Sequence, residues 1–183
     1  MVAAGALVVV VRRGVGDMAL ILRLVRHLLQ SPTAVRRRFT PTVLDAIEAA
    51  VGRAEAQHGG EVRFVVESDL GIAALLARRS ARDRAIEVFA AKRVWDTAHN
   101  NGVLVYVLWA DRAVEIVADR GFNGLVSADE WAEACRSMER AFRAGDWQGG
   151  AVSGVATVGK LVARHYPASD HKPNELPDRP LLL

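Results

Sequence analysis

Five residues near the middle of the chain have the side chains that hold a hard cation or meet a phosphate: Asp96, Thr97, Asn101, Asp119 and Arg120. Two carboxylates with a hydroxyl and an amide form an all-oxygen donor set. Calcium takes about 6–8 oxygens, so this set would make a weak, partly hydrated site for Ca2+ or Mg2+, with Asp96, Asn101 and Asp119 as its metal ligands. Arg120 would face a phosphate, and the chemistry such a site supports is metal-assisted hydrolysis of a phosphoester. No Cys, Ser or His stands beside these residues as an obvious nucleophile, and His99 reads as an exposed loop residue. The same residues have a plain structural explanation. Asp96 and Asn101 would cap a helix end and a turn, and Asp119-Arg120 would be an exposed pair worth less than ~1 kcal/mol.

The elements around these residues decide whether they meet. Residues 102–109 and 113–118 are rich in Val, Leu, Ile and Tyr and flank the turn Ala110-Asp111-Arg112, the pattern of a β-hairpin. In an antiparallel pair the start of one strand lies beside the end of the other, so Asn101 and Asp119 should share the edge opposite the turn. A strand over 61–67 (E-V-R-F-V-V-E) precedes a helix that opens at the cap pattern Ser80–Asp83 and reaches Trp95. Strand, helix, strand implies a parallel crossover. Asp96 then enters the second strand near Asn101. Glu67 falls at the other sheet end, roughly 20 Å away at about 3.3 Å per residue.

The remaining segments read as helices. Thr40-Pro41 is a capped start for a helix to about Gln57 with Leu44, Ile47, Val51 and Ala54 on one stripe. Residues 69–79 are irregular or a short helix. Ser127–Glu130 repeats the cap pattern and opens a helix to about Ala144, with Trp131, Cys135, Met138 and Phe142 inward. A small-residue-rich helix over 148–164 suits close packing. Gly154-Val-Ala-Thr-Val-Gly159-Lys160 matches seven positions of a P-loop, but Leu161 replaces the Ser or Thr and no strand precedes it, so packing explains it better. From Pro167 onward proline and charge predominate, the composition of a loose tail. The domain limits that follow are 1–39 for a basic arm, 40–166 for the folded unit and 167–183 for the tail.

Charge is distributed unevenly. Residues 1–40 carry seven arginines against Asp17, whereas the other 143 residues carry 17 basic and 20 acidic side chains. Within the arm, residues 19–30 place Leu20, Leu24 and Leu28 at helical spacing with Arg23 and Arg26 outside. Such a helix docks on a membrane surface or a protein partner, or packs on its own domain. With no groove-reading motif, no specific nucleic-acid binding is expected. The histidines lack zinc spacing, and the four tryptophans read as core or rim residues. One cysteine, Cys135, allows neither an intramolecular disulfide nor a Cys-based zinc site. The apolar run Ala3–Val11 is about half the ~20 residues that span a bilayer, and Arg12-Arg13 follow it rather than precede it as in a secretory signal. Met18 offers an alternative start, which would make residues 1–17 an overrun. The expected location is the cytoplasm, peripheral to a membrane.

Several segments in order resemble the TPM domain family. They are Asn100-Asn101-Gly102-Val103-Leu104 before the first hairpin strand, Asp111-Arg112 at its turn, and Val114-Glu115-Ile116 in the second strand. Arg120-Gly121-Phe122 after it and Phe142-Arg-Ala-Gly145-Asp146-Trp147 between the last helices complete the set. The resemblance covers about residues 40–165. It implies a three-layer α/β/α domain with a mixed sheet, a β-α-β crossover and a hairpin. Members of the family are described as acid phosphatases, divalent-metal binders or accessory factors. Asn100 stands where the family usually has Asp, and the arginine arm replaces the family's first strand. The expected function is a non-catalytic interaction or accessory domain with a divalent cation at the hairpin base. A metal-assisted phosphatase acting through Asp96 and Asp119, with Arg120, is the alternative.

Overall fold

The computed structural model describes residues 15–30, 32–168 and 173–183. The expectations for residues 1–14, among them the apolar run and Arg12-Arg13, lie outside the described residues.

One mixed sheet of four strands forms the middle layer, in the order β3-β2-β1-β4. β1 (Glu61–Glu67) and β2 (Gly102–Leu108) run parallel, paired from Glu61 with Gly102 to Glu67 with Leu108. β3 (Ala113–Ala118) folds back on β2 from Leu108–Ala113 to Val103–Ala118, which is the hairpin. Alternate residues feed two cores, as the two-residue period of a strand requires. Val62, Phe64, Val66, Val103, Val105 and Val107 face one helical layer: α3 (Pro41–Glu55), α6 (Ala128–Arg143) and α7 (Trp147–Ala163). Val65, Leu104, Tyr106 and Leu108 face the other, built from α4 (Ile72–Leu76) and α5 (Ala81–Ala91). Each such side chain stabilises the fold by about 1.5–3 kcal/mol on burial. The three-layer α/β/α architecture is therefore present.

Local signals set the helix starts. Thr40 accepts from the Val43 N–H, and Ser80–Asp83 and Ser127–Glu130 both close reciprocal capping boxes. Gly154 of α7 lies so close to Met138 that any Cβ there would collide with its sulfur, so the P-loop-like stretch serves close packing of α7 on α6. α5 stops at Ala91, short of the expected Trp95, because Arg93 takes a positive φ of 54° that no helix accommodates. Trp95 is consequently exposed, with the Arg93 guanidinium 5.9 Å from its ring centre.

The expectation of a loose tail is corrected over its described part. Leu181–Leu182 form β4, which extends the sheet parallel to β1. Leu176 is buried, its N–H donates to Glu61 Oε2, and Arg179 donates to Asp45 and Glu48 of α3. Composition could not reveal this, because what holds the segment is the open backbone edge of β1.

At the start of the described chain, α1 (Val15–Leu28) lies against α4 and the hairpin turn, followed by α2 (Pro32–Arg38). Asp111 in the turn is the anchor. Its carboxylate accepts from Arg23 Nη2 at 2.7 Å, Arg26 Nη2 at 2.9 Å and His27 Nε2 at 3.0 Å. His27 is buried, and its Nδ1 accepts the Leu70 N–H at 3.0 Å, which leaves Nε2 as the nitrogen that donates to Asp111. Burial pushes the Asp111 carboxyl up, but the bonds from Arg23 and His27 outweigh it and hold the group below its usual range. The expected docking stripe is rotated by this anchoring. Leu24 packs into the second core, while Met18, Ile21, Leu22, Val25, Leu28 and Leu29 face solvent. Among the described residues no helix is long and apolar enough to cross a membrane.

Candidate functional site at the hairpin base

The edge opposite the turn is built by close backbone approach. Gly102 opens β2 directly against the Val94 carbonyl, where any Cβ would overlap the oxygen. One residue past β3, the Asp119 N–H donates to the Gly102 carbonyl at 2.9 Å, extending the ladder to the very end of the hairpin. Asn100 takes a left-handed φ of 52°, a conformation that Asn adopts more readily than most residues. Its carbonyl receives the Gly121 N–H at 3.0 Å and its Oδ1 receives Arg120 Nε at 2.9 Å. An amide at position 100 thus orients Arg120 without neutralising it.

Two buried oxygens stand out. Asn101 is 1% exposed; its N–H donates to Thr97 Oγ1 at 3.0 Å and its Nδ2 to the Gly59 carbonyl at 2.9 Å. Its Oδ1 is buried with no hydrogen-bond partner among the described residues. Asp119 is 9% exposed; Oδ1 receives the Arg120 N–H at 2.7 Å, and Oδ2 is likewise buried with no partner among the described residues. Leaving such a group unsatisfied costs about 1–3 kcal/mol, and more for a charged one. An acceptor-only pair calls for a donor or a cation, and a hard cation suits oxygens of this kind.

The structure brings Asn101, Asp119 and Arg120 to one edge, with the Thr97 hydroxyl beneath. Asp96 is otherwise engaged: its side chain is 48% exposed and forms an ion pair with Arg93. No hydrogen bond or ion pair among the described residues joins it to Asp119, and no group of three or more His, Cys, Asp or Glu there is arranged to hold a metal. His99 is exposed, as expected. Glu67 lies at the opposite sheet end, bonded to the Tyr106 hydroxyl and to Arg84. Cys135 is far from nucleophilic, since burial and then the Glu115 charge push its thiol up to about 12.

Tyr166 was not legible as a member of this edge. Its hydroxyl donates to the Gly121 carbonyl at 2.7 Å and its ring meets Phe122 edge-on at 5.0 Å. Desolvation, and then the nearby Asp119 carboxylate, raise its pKa. It follows α7, more than forty residues from Asp119 in the sequence, and no local pattern links them.

A family model for the TPM domain matches residues 36–161. The chain belongs to the TPM domain family. This TPM domain is similar to the BA42 protein from the psychrophilic bacterium Bizionia argentinensis, with 30% identity and a TM-score of 0.69 over 79% of this chain and 94% of that one. An N-terminal domain from P. gingivalis shares the fold at 16% identity and a TM-score of 0.57, covering 72% of this chain and 82% of that one. No match is found among curated proteins.

Proposed function

We propose that this TPM domain is a non-catalytic accessory module that binds a divalent cation, Ca2+ or Mg2+, at the base of its hairpin. The observation that carries the proposal is the pair of buried, unpartnered acceptors, Asn101 Oδ1 and Asp119 Oδ2, at one sheet edge. These two oxygens would hold the ion. When bound, it would supply positive charge to that edge and tie the start of β2 to the end of β3. Water would complete the shell, because one carboxylate and one amide fall well short of the about 6–8 oxygens calcium takes. Docking through α1 fits the same role: its solvent-facing stripe of Met18, Ile21, Leu22, Val25, Leu28 and Leu29 is the surface a protein or membrane partner would cover. The proposed location, cytoplasmic and peripheral to a membrane, rests on that stripe and the arginines of the arm.

Thermal unfolding with and without millimolar Ca2+ or Mg2+ tests the cation site. Ligand at 100 times its dissociation constant adds about 2.7 kcal/mol to the folded state. The expected result is an upward shift in wild type that is lost in Asp119→Asn and kept in Asp96→Ala. No shift in wild type overturns the proposal. Turnover of p-nitrophenyl phosphate that disappears in Asp119→Asn would replace it with the phosphatase alternative, in which Arg120 faces the phosphate.

A further inference from the structure

A concavity lies at the other end of the sheet, where the hairpin turn meets the end of α2 and the α6–α7 loop. Its volume is about 390 Å³, within the range of about 300–1,000 Å³ that small-molecule sites occupy. One wall is aromatic and rigid. Trp109 and Trp147 lie 4.4 Å apart at 37°, Phe142 stacks on Trp147 at 5.0 Å and 18°, and Phe39 supports both tryptophans edge-on. Trp109 Nε1 donates to Gln30 Oε1 at 2.9 Å, which fixes the Gln30 amide at the rim with its NH2 group to spare.

The rest of the rim is cationic. Arg38 ends α2, Arg112 sits in the hairpin turn at a φ of 53°, and Arg143 ends α6. Arg143 is matched by Glu139 at 2.8 Å. The Arg38 and Arg112 side chains make no hydrogen bond or ion pair with any described residue, and the Arg112 backbone N–H donates to the Trp109 carbonyl. The acids next to the lining residues in the sequence, Asp111 and Asp146, are engaged elsewhere. Asp111 is held by Arg23, Arg26 and His27, and Asp146 caps α7 by accepting the Gly149 N–H at 2.8 Å. Two guanidinium groups without an acidic partner among the described residues therefore line the pocket beside an aromatic wall.

That combination selects a ligand chemistry. A guanidinium fork matches the oxygens of a phosphate, and a phosphomonoester carries about −1.5 to −2 charge at neutral pH, which two free arginines balance. Trp147 is already engaged with Trp109 and Phe142, and the indole edges of such a cluster take a further planar ring edge-to-face. We propose that this pocket binds a small phosphate ester carrying a flat ring, the chemistry of a mononucleotide. The site lies at the opposite end of the sheet from Asn101 and Asp119 and draws no residue from that edge.

Isothermal titration of the full chain in EDTA tests it without the hairpin-base cation. The probes are AMP, adenosine and inorganic phosphate. AMP is expected to bind, and each of the other two, which carries only half of the chemistry, to bind at least tenfold more weakly. The double variant Arg38→Ala, Arg112→Ala should weaken AMP at least tenfold with an unchanged melting temperature, because both side chains are exposed and unpaired. The proposal is overturned if AMP does not bind, if it binds no tighter than inorganic phosphate, or if the double variant binds it like wild type.

Discussion

Replacing Asp111 with alanine should release α1 from the domain. The carboxylate is 12% exposed and receives three cationic or polar side chains: Arg23 at 19% side-chain exposure, His27 at 1% and Arg26 at 47%. Removing one partner of a buried, hydrogen-bonded pair costs about 3–5 kcal/mol. The loss here is smaller, about 2–3 kcal/mol on the same scale, because Arg23 is partly solvated and keeps its bond to the Arg79 carbonyl. The Arg26 contact accounts for less than ~1 kcal/mol of it, as exposed pairs do. At about 1.4 kcal/mol per tenfold, hydrogen-exchange protection of residues 15–28 should fall about 30- to 150-fold. The core strands should be less affected, since α1 opens as a local unit. Arg26→Ala is the control and should leave α1 nearly as protected as in wild type. Unchanged α1 protection in Asp111→Ala, measured peptide by peptide, would refute the assignment of Asp111 as the anchor.

Acid should weaken the fold in a defined window. Hydrogen bonds from the Ser127 backbone, Arg164 and the Ser127 hydroxyl depress Glu130 from 4.5 to about 2, and Asp111 is depressed as well. Groups with lowered folded pKa values contribute stability that is complete above their unfolded values and lost as pH falls through the folded ones. Urea midpoints should therefore hold down to about pH 5 and drop from there toward pH 2, with a shallower drop in Asp111→Asn; a midpoint independent of pH in that range would contradict this. Truncation after Asp178 removes β4, the Arg179 contacts to Asp45 and Glu48 and one carbonyl acceptor of Arg63. A loss of about 2–3 kcal/mol is expected from three such interactions, read as a lower urea midpoint, and an unshifted midpoint would mean that the C-terminal strand adds nothing.

Near-neighbour physics was readable in the sequence. A Thr-Pro start fixed where α3 begins, hydroxyl and carboxyl caps three residues apart fixed where α5 and α6 begin, and β-rich runs around Asp111-Arg112 marked the hairpin. Hairpin geometry alone then carried Asn101 and Asp119 to one edge, since antiparallel pairing leaves no other arrangement. The match of five ordered segments to the TPM pattern identified the α/β/α class. Tertiary structure decided everything that depends on contacts between distant residues. Arg93 ended α5 early and took Asp96 as its own partner, so proximity in sequence did not become membership of the site. Tyr166 reached Gly121 only because α7 packs on α6 and returns to the same edge. The open edge of β1 recruited Leu181–Leu182, whose composition suggested a loose end. Asp111, a turn residue by its sequence, became the anchor that set α1 with Leu24 inward and Leu22 and Leu28 outward. Local propensity falls off within a few residues, whereas a buried charge or an unpaired strand edge takes whichever partner the folded chain brings near, and sequence separation places no limit on that choice.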